Sequence, residues 1–217
     1  LCGVGLAAAL AISGGFANAA EDRVVQRDAF FGDLHIHTKY SHDAYMGGGV
    51  RTSPDDSYRY AKGKPIAHPN GEMIRMTGGP LDFLMVSDHA YYLGAHTAQD
   101  DPSSPTYGHP EAAKLIPSPN DYYNGLDKLW DMALADHELV GTAVIEDAWA
   151  KIIAAAARHN DPGKFTAFIG YEYTPMTGGR HLHRNVVFRS DRAPQRPFSK
   201  RDSQNPEDLW DWLDGLR

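Results

Sequence analysis

Three apolar runs in this chain close on a histidine or an acid, and that repetition narrows the folds open to it. The run 30–37 ends on His35 and His37, the run 81–87 leads into Asp88 and His89, and the run 165–172 ends on Glu172. A fourth run, 185–189, follows His181 and His183. Apolar runs without strict alternation are expected as strands buried on both faces, in a parallel sheet covered by helices. Two helices are expected between the second and third runs. The first has Ser118 as N-cap, Pro119 at its first position and Asp121 in its first turn, with Leu126, Leu129, Trp130, Ala133 and Leu134 along one stripe. The second carries Trp149, Ile152, Ile153, Ala156 and Ala157 at the same spacing. Both stripes are expected as core. A further helix begins at Asn205-Pro206. Segments 44–80 and 99–119 read as loops, the first with a hairpin turn at Asn70-Gly71. Strands alternating with helices imply an α/β barrel or sandwich.

At 217 residues the chain is expected to hold one domain. Lys and Arg number 21 against 28 Asp and Glu, a formal charge of -7, which argues against nucleic acid as a partner. There is one cysteine, Cys2, so a disulfide framework and a thiolate metal site are excluded. With 11 histidines, a metal would have to be held by imidazole and carboxylate.

Residues 1–16 carry no charge and lead into Ala17-Asn18-Ala19-Ala20, followed by Glu21-Asp22. That is the pattern of a signal-peptide apolar core and cleavage site, too short and glycine-rich for a stable membrane span. Residues 1–20 are therefore expected to be a signal peptide and residues 21–217 an exported, periplasmic domain.

The chemistry concentrates in Gly32-Asp33-Leu34-His35-Ile36-His37-Thr38-Lys39-Tyr40-Ser41-His42-Asp43. On a strand, the period of two puts Asp33, His35 and His37 on one face. Two imidazoles at a strand end form a platform for zinc, manganese or iron, and Asp43 can return a carboxylate to it after a turn. His89, Glu172 and His183 stand at the ends or starts of other strands, where an α/β sheet places its active site. His183 is favoured over His181 because it directly precedes its strand. Asp33 is expected to orient a ligand histidine, and Asp88 either to orient His89 or to pack at the strand end. Arg184 is a candidate for neutralising a substrate anion. His42, His68, His96, His109, His137 and His159 are expected to be solvated.

His35-x-His37 with Asp43, then Ser87-Asp88-His89, then Gly170-Tyr171-Glu172, resembles the first three motifs of the PHP (polymerase and histidinol phosphatase) superfamily. The segments GDLHIHTKYSHDA, PLDFLMVSDHAYYLG, FTAFIGYEYT and HLHRNVVF are similar to its DUF3604 branch. The resemblance implies a distorted (β/α)7-type barrel with two or three divalent metals and hydrolysis of phosphoesters. It implies that His35 and His37 bind one metal, that Glu172 bridges it to a second held by His183, and that Asp43 and His89 bind a third. Catalysis would turn on Glu172, Asp43 and His89. A late Asp-x-His motif of that superfamily is not found before Arg217, so the chain is expected to be the N-terminal part of such a domain.

The expected function is that of an exported metal-dependent hydrolase of a small anionic substrate, using activated water. No Gly-x-Ser-x-Gly elbow or P-loop is present. Two other readings stay open: an amidohydrolase-type metal hydrolase, and a periplasmic metal-binding protein without turnover. Substrate identity and oligomeric state are not legible.

Overall fold

The structure, a computed structural model, describes residues 28–115 and 122–217. The expected signal peptide, Cys2, and the Ser118 cap with Asp121 lie outside the described residues. All four expected strands are present: β1 (Gly32–Ile36), β4 (Phe83–Val86), β5 (Thr166–Tyr173) and β6 (Arg184–Phe188), with a hairpin of β2 (Ile66–Ala67) and β3 (Met73–Ile74) between the first two. The hairpin turns at Asn70-Gly71, where Gly71 takes the left-handed region at φ +90° that glycine adopts without strain.

The main sheet has the order β1-β4-β5-β6. β1 runs parallel to β4 and β4 to β5, but β6 is antiparallel to β5. The sheet is therefore mixed rather than parallel. A parallel partner needs a crossover of a dozen or more residues, usually helical, and segment 174–183 holds only a single turn of 3-10 helix. The described residues form an open sheet with β1 and β6 as edges, and no closed barrel. Nor is β1 buried on both faces, since its first four residues are exposed.

The core lies where α1 (Pro54–Ala61) and α3 (Thr142–His159) cover the sheet. Leu84, Val86, Trp149, Ile152 and Tyr171 are fully buried there. In α3 the expected Trp149, Ile152 and Ala156 are buried, whereas Ile153 is half-buried and Ala157 is exposed, and the Trp149 indole N–H donates to the Pro194 carbonyl at 2.8 Å. Helix α1 falls within segment 44–80, expected as loop. It is started by a capping box: the Ser53 hydroxyl accepts from the Asp56 amide at 3.2 Å, and the Asp56 carboxylate accepts from the Ser53 amide at 3.0 Å. Helix α2 (Tyr122–Leu134) buries Leu129, but Trp130 and Leu134 are 40% and 69% exposed, so its stripe is only partly core. Helix α4 (Pro206–Asp214) anchors itself through Leu209.

Two histidines expected in solvent are core residues. His42 and His96 are both buried. Burial drops the pKa of His96 to about 4, although the hydrogen bond from its Nε2 to the Lys39 carbonyl opposes the drop. A base with a lowered folded pKa leaves the unfolded chain to take the proton first, so stability falls as pH drops from about 6.5 towards 4. His96→Asn, which keeps a donor for Lys39, is expected to show a shallower loss of stability over that window. Urea titrations at pH 7 and pH 5 provide the check, and an unchanged pH slope in the variant would refute it.

Candidate metal centre

The parallel strands β1, β4 and β5 bring their carboxyl termini to one end of the sheet, and antiparallel β6 begins at that same end. This is why a residue preceding β6 meets residues ending the other three. His35 and His37 leave β1, His89 follows β4 and forms a parallel bridge to Glu172 of β5, and His183 directly precedes β6. Asp43 opens a π-helical turn, Asp43–Gly47, that folds back over the end of β1.

Glu172 lies at the middle, fully buried. Its Oε2 is 3.0 Å from His35 Nε2 and 2.8 Å from His37 Nε2, while Oε1 meets His183 Nδ1. The other nitrogen of His37, Nδ1, lies 3.0 Å from Asp43, and His89 Nε2 lies 3.6 Å from the same carboxylate. All six residues expected as ligands therefore converge.

Several polar side chains that the sequence did not single out hold this arrangement. The Ser41 hydroxyl donates to Asp43 at 2.6 Å and accepts the His89 amide at 3.2 Å. Thr174 Oγ1 lies 2.8 Å from His89 Nδ1, 3.2 Å from His183 Nδ1 and 3.3 Å from Glu172 Oε1. Thr174 stands two residues past Glu172, and the period of two was the available signal. Of the two roles expected for Asp88, the structure shows packing at the strand end rather than a bond to the His89 ring. Asp88 takes the Thr38 amide and hydroxyl, which ties the exit of β1 to β4. Asp33 likewise accepts the His35 backbone N–H at 2.8 Å rather than its ring. His181 stacks on His183 with ring centres 5.8 Å apart. The Arg184 guanidinium donates to the Leu182 carbonyl. Buried His42 packs on His89 at 4.9 Å, and its Nε2 meets the Tyr91 hydroxyl at 3.0 Å.

Charge follows the geometry. Burial works to raise the Asp43 pKa, but the hydrogen bonds and charges of His37 and His89 outweigh it and hold the carboxyl well below the usual range. Burial likewise works to lower the His37 pKa, and the hydrogen bond and charge of Asp43, with Asp88 behind, raise it instead. His89 and His183 are lowered, chiefly by burial, which favours neutral imidazoles with a lone pair to offer. Buried Asp88 is raised to about 6 by desolvation, against its bonds from Thr38.

Three groups of residues have donor atoms close enough to share an ion: His35, His37 and Glu172; His37, Asp43 and His89; and His89, Glu172 and His183. Imidazole and carboxylate are the donor set of zinc, manganese and iron, so the residues fit the metals the sequence implied. A neutral imidazole has one lone pair, and His37 and His89 each occur in two groups. The first and third groups share only Glu172, whose two oxygens can serve two ions. The middle group competes with both.

The fold and this centre define a mixed α/β protein with a histidine and carboxylate cluster suited to divalent metal. The chain belongs to the DUF3604 family: the model described as "Protein of unknown function (DUF3604)" matches residues 24–217. No curated protein and no solved structure matches it. Among the described residues no helix is long and apolar enough to cross a membrane.

Proposed function

We propose that this chain is an exported, metal-dependent phosphoester hydrolase of the PHP superfamily, working with two divalent ions of zinc, manganese or iron. The observation that carries the reading is Glu172, a buried carboxylate with ring nitrogens of His35 and His37 at one oxygen and of His183 at the other. One ion would be held by His35, His37 and Glu172, and the other by Glu172, His89 and His183. Divalent ions there would supply Lewis acidity and lower the pKa of water from 15.7 to about 7.

The chain's own residues prepare the site. Asp43 stays ionised and holds the Nδ1 proton of His37, which leaves Nε2 facing Glu172. This role replaces a third ion at Asp43 and His89, because such an ion would take His37 and His89 from the other two groups. The Thr174 hydroxyl holds His89 and His183 in register with Glu172. Half of the His35 side chain is open to solvent, so one flank of the centre admits substrate.

Metal-reconstituted protein assayed on a chromogenic phosphomonoester and phosphodiester is the test. Turnover abolished by chelation and restored by metal supports the reading. Tight metal binding with no turnover would leave a metal-binding protein. Export rests on the apolar segment before Glu21 and predicts a mature N-terminus near Ala20 or Glu21, read by mass spectrometry of envelope protein. An intact leader on cytosolic protein would overturn it.

A further inference from the structure

Beside the metal centre lies a cavity of about 620 Å³ that none of the six candidate ligands lines. Its size is that of a small-molecule site. Tyr91, Tyr92, Trp130, Met176 and Lys200 contribute to its wall, and so does His181, whose ring stacks on His183. Tyr91 belongs to both regions, since its ring lies 5.2 Å from that of His89. Cavity and centre thus share a wall.

Lys200 is the unusual member. It is buried, 9% exposed, and its ammonium sits 4.0 Å from the Tyr91 ring centre, 5.1 Å from Tyr92 and 5.1 Å from Trp130. Its hydrogen-bond partner among the described residues is the Met176 sulfur, at 2.9 Å, a weak acceptor. No carboxylate among the described residues pairs with it, although exposed Asp127 also stands at the cavity wall. Desolvation pulls its pKa down to about 8, and it remains mainly protonated at neutral pH. A buried cation without a counter-charge is costly to the fold, and ring faces offset only part of that cost. An anion entering the cavity would complete the pair. The surrounding rings would meet a flat apolar body rather than a bare ion.

We propose that this cavity binds an aromatic anion of the benzoate type, with Lys200 pairing its carboxylate and Tyr91, Tyr92 and Trp130 packing its ring. In the enzyme this would be the non-reacting end of the substrate, making the substrate class an aryl phosphoester that carries a second negative charge. That last assignment rests on the hydrolase reading above, whereas binding in the cavity does not.

Titration calorimetry of the metal-free protein with 4-methylbenzoate, 4-methylbenzamide and acetate separates charge from ring. The benzoate is expected to bind at least about tenfold more tightly than either the neutral amide or acetate, as a charge-assisted hydrogen bond joined to ring burial requires. Lys200→Met keeps the apolar stem and removes the charge. It is expected to lose that preference while holding wild-type metal content and an equal or higher thermal midpoint. Lys200→Arg should recover part of the preference. Equal binding of benzoate and amide by wild type, equal binding of acetate, or an undiminished preference in Lys200→Met would each overturn the proposal. In the hydrolase assay, 4-carboxyphenyl phosphate should show a lower KM than phenyl phosphate in wild type but not in Lys200→Met. Benzoate binding without any phosphoester turnover would sink the hydrolase reading and leave the cavity assignment standing.

Discussion

Glu172→Gln is expected to strip the centre of at least one of the two ions proposed for it and to lower the proposed hydrolase turnover at least about 100-fold. The size of the effect follows from where the carboxylate sits. It is fully buried, and it is the one residue common to the two groups that can be filled together. Glutamine keeps the volume but removes the charge that offsets two dications, and it turns one oxygen into an N–H donor facing an imidazole. A bridging carboxylate also sets the spacing of the ions, and a misplacement of about 1 Å can cost about 10²-fold in rate. Elemental analysis of metal per chain, taken with kcat, measures both consequences. His42→Ala is the informative control. His42 is buried against His89 and Tyr91, so the variant should lose thermal stability while keeping its metal. Glu172→Gln with full metal content and near wild-type turnover would remove Glu172 from the centre.

That control also shows where the sequence stopped being readable. Glu172, His89 and His37 are legible because each closes an apolar run, and a strand places its last residue at one end of the sheet. His96 lies in a short 3-10 helix, Ala95–Gln99, and His42 caps the π-helical turn Asp43–Gly47; both elements are too short for a period to tell buried from exposed, and both residues are core. Helix α1 is not legible from its period, because Tyr58 and Ala61 make too short a stripe in eight residues, although Ser53-Pro54-Asp55-Asp56 spells its start. The antiparallel setting of β6 depended on the length of segment 174–183 rather than on the strand's own residues. It is nonetheless what brings His183 to Glu172. Trp130 fell on a helical stripe and read as core, yet it faces the ammonium of Lys200. A stripe predicts which way a residue points and not what will meet it there.

Binding of metal should appear as stability, because the ion binds the folded centre and finds no such site in the unfolded chain. At a free concentration of about 100 times Kd the gain is about 2.7 kcal/mol. For a chain of this size each kcal/mol moves the thermal midpoint by about 2–4 °C, so chelated protein reloaded with zinc or manganese should melt about 5–10 °C higher. The two β1 histidines should not contribute equally. His37 approaches Glu172 with one nitrogen and Asp43 with the other, and Asp43 also lies against His89. Its removal therefore breaks one ion group and leaves the half-buried Asp43 charge with less to balance it. His35 reaches Glu172 alone, with a side chain 56% exposed. His37→Ala is expected to reduce the metal-induced rise, since it breaks the same ion group as His35→Ala, and to destabilise the metal-free protein as well. His35→Ala should reduce the rise and leave the metal-free midpoint close to wild type. Scanning calorimetry of the three proteins, each with chelator and with metal, separates these outcomes. A wild-type midpoint that no divalent metal moves would mean that the ring nitrogens around Glu172 are structural hydrogen bonds and not a metal centre, and equal metal-free midpoints in the two variants would remove the added role of His37 beside Asp43.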